Sequence, residues 1–283
     1  MIRFELNNKQ ASYSGNPQRS LLDFLRNDQH ITSAKDGCSG QGACGACTVE
    51  INGQAKLGCR VKMIDLQGAV VYTTEGLPED FRQMIGKMFA EKGAVQCGFC
   101  SPGFIMRARA LFLKNTNPGR EEIVRAVNPN ICRCTGYIKI VDAIEAAFSG
   151  LRGEQTALPT KASGVGSSRP KYLAESMALG SHRYVNDIYA DDMLFGALCF
   201  SEHPRARILS IDISEALASP GVNRIITAAD IPGNRLTGLI VKDWPMMIAV
   251  GEITHCIGDV LACIVADTEQ NARQAASRLK IHY

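Results

Sequence analysis

No apolar run in this 283-residue chain exceeds seven residues, Val260–Ala266. Roughly 18 are needed to cross a bilayer, so no membrane span is expected. The opening residues, MIRFELNNKQ, alternate like a strand and lack the apolar block of a signal peptide. The cytoplasm is therefore the expected compartment. No basic stripe stands out, so nucleic acid is not an expected partner. Five histidines are spread without ligand spacing. No Ser-His-Asp or paired-carboxylate arrangement rises above background, and no catalytic residue is assigned. No internal repeat is visible.

What the chain has in quantity is cysteine, eleven residues in all. Disulfides are rare in the expected compartment, which makes metal binding the first reading. Eight lie between Cys38 and Cys134; Cys199, Cys256 and Cys263 fall in apolar, strand-like stretches and read as inert core residues. At 46% hydrophobic and 21% charged the composition is that of a globular protein, and its length suits two or three small domains.

The patterning divides the chain. Ile2, Phe4 and Leu6 alternate into an Asn7-Asn8 turn, and Val49 and Ile51 lead through Asn52-Gly53 to Ala55 and Leu57, so two hairpins are predicted. Ser20 with Asp23 resembles a capping box ahead of Leu21, Leu22, Phe24 and Leu25, a short helix. Residues 1–75 thus form a β-rich domain with one helix. Residues 76–149 carry four helical patterns, around Phe81–Phe89, Phe104–Phe112, Ile123–Val127 and Tyr137–Phe148, the first with Pro78 in its first turn. Residues 150–180, rich in Gly, Ser, Pro, Thr and Ala, read as a linker. Residues 181–283 alternate strand and helix signals, the clearest helix starting at Thr268. The whole is an α+β multidomain chain.

Cys38, Cys44 and Cys47 sit in GCSGQGACGACTV, with Cys59 twelve residues later. Three thiolates on a loop plus one from a following strand is how a plant-type ferredoxin wraps [2Fe–2S]. Glycines let the loop bend tightly and turn N–H groups toward sulfur. Five residues separate Cys38 from Cys44, one more than the plant-type spacing, and a bulge is expected to absorb it. Gly40, Gly42 and Gly45 also spell G-x-G-x-x-G, but a dinucleotide fingerprint needs a preceding strand and a following helix.

The second set is QCGFCSPG, with Cys97 and Cys100, and NICRCTGY, with Cys132 and Cys134. Both pairs precede predicted helices, whose N-termini favour an anion. On spacing alone this set suits either a second cluster or a structural zinc of four thiolates. Each oxidised cluster would carry about −2. Two of them would bring the formal +3 to about −1.

With these motifs the chain resembles the molybdenum hydroxylases, the family of xanthine dehydrogenase and aldehyde oxidoreductase. The resemblance implies a β-grasp plant-type ferredoxin domain, a four-helix [2Fe–2S] domain and, from HRYVNDIYADDMLFGALCF onward, an α/β hammerhead domain that leads toward the molybdenum-binding region. It implies two [2Fe–2S] clusters and no FAD domain, since only a linker separates the parts. For Gln96 it implies a hydrogen bond to the pterin of the molybdenum cofactor, and for Cys134 a close link between that pterin and the second cluster. The family's molybdenum-binding loops and catalytic glutamate have no counterpart before Tyr283. The expected partners are a molybdopterin-binding catalytic subunit, or a remainder of this chain beyond an apparent truncation, and an external electron acceptor. Two other readings stay open: a free-standing ferredoxin with a docking domain, and a zinc-stabilised interaction module.

Overall fold

Asn7 and Asn8 both adopt left-handed backbone, φ 50° and 65°, in the computed structural model, which describes residues 1–154 and 164–283. That conformation makes the tight turn joining β1 (Ile2–Leu6) to β2 (Lys9–Tyr13), paired antiparallel from Ile2↔Tyr13 to Leu6↔Lys9. The second hairpin is also present, as β3 (Thr48–Ile51) and β4 (Gln54–Leu57). A short β5 (Val70–Tyr72) runs parallel to β1 and antiparallel to β3. The sheet order is β2-β1-β5-β3-β4. Helix α1 (Leu21–Asn27) lies on this sheet, its Leu21, Leu22, Phe24 and Leu25 packed with Phe4, Leu6, Val49 and Val71. Ser20 Oγ accepts the Asp23 N–H at 3.2 Å. The Asp23 carboxylate turns instead to Arg19, so only half of the predicted capping box forms.

The four predicted helices are α2 (Glu79–Glu91), α3 (Ser101–Lys114), α4 (Arg120–Val127) and α5 (Ile138–Leu151). Pro78 occupies the N-cap of α2 rather than its first turn. Their apolar stripes close one core around Phe81, Ile85, Phe104, Ile123, Ile144 and Phe148.

The stretch read as linker ends differently from its composition. Ala174–Leu179 form α6, with Ala178 fully buried in the core of the helical domain. Thr74 Oγ1 donates to the Leu179 carbonyl at 2.7 Å. Further on, Asp187 is buried and accepts from Lys35 Nζ at 2.6 Å and from an Arg26 guanidinium nitrogen at 2.7 Å. Residues 174–187 thus strap the ferredoxin-like sheet to the helices. They belong to the first of two compact units, Met1–Ile188; the second is Tyr189–Tyr283. Residues 155–163 of the predicted linker lie outside the described residues.

In the second unit β6 (Phe195–Phe200) is followed by β7 (Ser210–Asp212), α7 (Ser214–Leu217), β8 (Val222–Thr227), and a β9 (Leu236–Thr237) and β10 (Trp244–Pro245) pair. Then come β11 (Val260–Ala266), α8 (Glu269–Ala276) and β12 (Lys280–His282). β11 lies between β6 and β8, antiparallel to both, and β12 pairs with β7. Thr268 caps α8, as its sequence suggested, by accepting the Asn271 N–H at 3.1 Å. The three outlying cysteines are half-buried rather than core. Cys256 is in a bend, not a strand, with its thiol against Asp259. Among the described residues no helix is long and apolar enough to cross a membrane.

Two candidate cluster sites

The first cysteine loop makes its turn early. Gln41 N–H closes on the Cys38 carbonyl at 3.1 Å, with Ser39 and Gly40 between them at φ 50° and 76°. This tight turn takes up the extra residue between Cys38 and Cys44. The thiol of Cys38 interacts with that of Cys44, and the thiol of Cys47 with that of Cys59. Burial raises the Cys38 pKa, but N–H groups of Ala43, Cys44 and Gly42 outweigh it and hold the thiol down at about 7. Burial pushes Cys47 up to about 12. A hairpin, not a helix, follows the loop, which removes the dinucleotide reading.

At the second site Cys100 is the N-cap of α3. Cys97 and Cys134 have sulfurs 3.5 Å apart, and the thiol of Cys100 interacts with that of Cys132. Burial raises Cys100, reinforced by Cys132. Cys132 is lowered, burial being outweighed by the hydroxyl and N–H of Thr135 and the N–H of Cys134. Those donors sit in the loop before α5, and the N–H that faces Cys97 is that of Phe99, just ahead of α3, so loop N–H groups rather than the helix first turns face the sulfurs. The Cys132 N–H itself donates to Tyr137 Oη at 3.1 Å.

Both sites therefore present four thiols as two interacting pairs. Two bridged irons, each taking two thiolates, call for that arrangement, whereas one zinc ion asks four donors to converge. Among the described residues no three Cys, His, Asp or Glu side chains converge on one ion position. The donor set fits dinuclear clusters, whose positive irons offset the cost of ionising buried thiols such as Cys47 and Cys100.

The sites are joined by short contacts. Ile131 N–H donates to the Cys44 carbonyl at 2.9 Å. Buried Asn130 donates from Nδ2 to the Gly45 carbonyl at 3.0 Å. A Cβ on Gly103 would come within 2.4 Å of that same oxygen, so only glycine lets α3 approach the loop. The two sites differ in exposure: Cys97 and Cys134 are exposed, Cys100 is half-buried and Cys132 buried, while the first site has buried Cys47 and three half-buried cysteines. Gln96 is exposed beside Cys134, its Nε2 donating to the Cys134 carbonyl at 3.0 Å. Tyr184 Oη donates to the Cys97 carbonyl. Burial and then the neighbouring thiolates push that phenol up to about 12, so it keeps its proton. Asn130 and Tyr184 escaped the sequence reading; their polar roles appear only when distant segments meet.

Comparison with known proteins covers most of the chain. Residues 4–65 match the 2Fe-2S iron-sulfur cluster binding domain, and residues 73–145 the [2Fe-2S] binding domain. Residues 179–283 match the a/b hammerhead domain of aldehyde oxidase and xanthine dehydrogenase. Aldehyde oxidoreductase of Megalodesulfovibrio gigas is 36% identical over 282 residues, 92% of this chain and 31% of that protein. The nicotinate dehydrogenase small FeS subunit of Eubacterium barkeri is 45% identical over 147 residues, 52% of this chain and 93% of that subunit. The crystal structure of aldehyde oxidoreductase from Desulfovibrio desulfuricans ATCC 27774 superposes with a TM-score of 0.91 at 35% identity, over 99% of this chain and 33% of that one. The chain thus spans about a third of the length of the aldehyde oxidoreductases it matches.

Proposed function

The chain belongs to the xanthine dehydrogenase and aldehyde oxidoreductase family, and from that premise we propose that it is the electron-transfer part of a molybdenum-dependent oxidoreductase. Cys38, Cys44, Cys47 and Cys59 hold one [2Fe–2S] cluster; Cys97, Cys100, Cys132 and Cys134 hold the other. The observation that carries this reading is the pairing of thiols at both sites. When bound, each cluster supplies a one-electron couple.

The chain's own residues set the direction. The exposed Cys97–Cys134 edge, flanked by exposed Gln96, is the face we assign to the molybdopterin of a catalytic subunit or of a continuation of this chain. With Nε2 committed to the Cys134 carbonyl, Gln96 keeps its Oε1 for a pterin donor. Inward, the Ile131 N–H to Cys44 carbonyl bond gives a compact bonded route from Cys132 to the first site. The half-buried first-site ligands then serve an external acceptor. Hydroxylation itself has no candidate residue here. Exposed Leu239, Ile240 and Trp244 around the β9–β10 pair support a docking role for the hammerhead unit against the molybdenum-binding part.

The test is anaerobic purification with metal and sulfide analysis and electron paramagnetic resonance. Two irons and two labile sulfides per site, and two distinct paramagnetic centres on reduction, are expected. A colourless chain holding zinc would overturn the reading.

A further inference from the structure

Among the arginines of the first unit, Arg107 is unusual. Arg109, two residues on, lies against Glu50, and Arg26 against Asp187. Arg107 is half-buried on α3, and among the described residues no carboxylate pairs with it. Its side-chain partner is neutral: Nε donates to Asn130 Oδ1 at 3.2 Å. Asn130 in turn donates to the Gly45 carbonyl, two residues before Cys47. Arg107 also stands one helical turn after Gly103, on the face of α3 that meets Gly45 and Ala46. Burial lowers the Arg107 pKa, and a negative charge at Cys47 works in the opposite direction. A guanidinium does not deprotonate in a protein, so the cation is permanent.

Burying a cation without a carboxylate is costly unless another negative group balances it. We infer that Arg107 is the charge-tuning residue of the first site, a fixed cation lent by the helical domain that favours the reduced state of the cluster on Cys38, Cys44, Cys47 and Cys59. The inference rests on the cluster assignment made above. One electron arrives, no proton moves, and the cluster charge goes from about −2 to about −3. A nearby positive charge in a medium less polar than water stabilises the more negative state. Electrons passed inward from the exposed second site are thereby drawn to the first. The helical domain, by supplying Arg107, raises the potential of a cluster whose ligands all belong to its neighbour.

The experiment is a mediated redox titration of the full cluster-loaded chain, with each centre followed by electron paramagnetic resonance. Arg107→Gln is expected to lower the ratio of reduced first centre to reduced second centre about tenfold, about 59 mV for a one-electron couple, with the second potential unmoved. Arg107→Lys, which keeps the charge, restores most of that ratio. An unchanged ratio in Arg107→Gln, or an equal fall in Arg107→Lys, overturns the inference. Should Arg107→Gln shed iron, isosteric Asn130→Asp sets a carboxylate against the same guanidinium and must lower the ratio in the same sense; no change there is equally decisive. A wild-type chain without two reducible centres would instead defeat the cluster assignment itself.

Discussion

The two cysteine sites gather the same number of thiols in different ways. The first takes three thiols from one loop and the fourth, Cys59, from just past the hairpin that follows it, with Cys47 buried and the other three half-buried. The second is assembled from two loops 32 residues or more apart in sequence, Cys97 and Cys100 with Cys132 and Cys134, and leaves one thiol pair exposed. A local loop determines its own geometry, whereas a site made from separate segments depends on what holds those segments together. Here that is the α3 and α5 packing, together with the strap of residues 174–187.

The largest expected effect breaks one site and spares the other. Cys134→Ser should abolish the second centre's signal while the first retains its iron, because every first-site ligand lies within Cys38–Cys59. Loss of both signals in metal analysis and resonance spectra would show that the sites do not assemble independently. Next, Asp187→Asn leaves Lys35, itself 1% exposed, without its carboxylate, at a cost of about 3–5 kcal/mol. Urea denaturation measures it. Burial would raise the Asp187 pKa, but hydrogen bonds from Lys35 and Arg26 outweigh it and the folded value is lowered. The wild-type advantage over Asp187→Asn is therefore complete above pH about 4, near the unfolded carboxylate value. It shrinks as pH falls through the folded value, and a gap that grew in acid would contradict the assignment.

A smaller effect is expected where the sites touch. Gly103→Ala forces a methyl against the Gly45 carbonyl and should cost about 1–3 kcal/mol, with altered spectra of both centres. Smallest is Ser20→Ala, which removes the α1 cap for about 1 kcal/mol. It lowers the denaturation midpoint of the ferredoxin-like domain and leaves the second centre's spectrum unchanged.

The hairpins at Asn7-Asn8 and Asn52-Gly53 and the four amphipathic helices were legible because each rests on local periodicity and turn chemistry. So was the candidate ligand set, since spacing alone brought the cysteines out as two groups. The strap was not legible. Its composition is that of a linker, and α6 has only six residues, too few for a periodic signal. Cys256 was expected in a strand, but the Asp259 carboxylate, accepting from the His255 and Cys256 N–H groups, holds a turn there.

By itself the sequence determined which atoms can bind metal, because thiol chemistry and short spacings are properties of neighbouring residues. Tertiary structure alone decided how those thiols pair, which edge meets solvent, and which buried charges face them. Burial, and with it the strength of every electrostatic interaction, is a property of segments that meet in space after long separation in the chain.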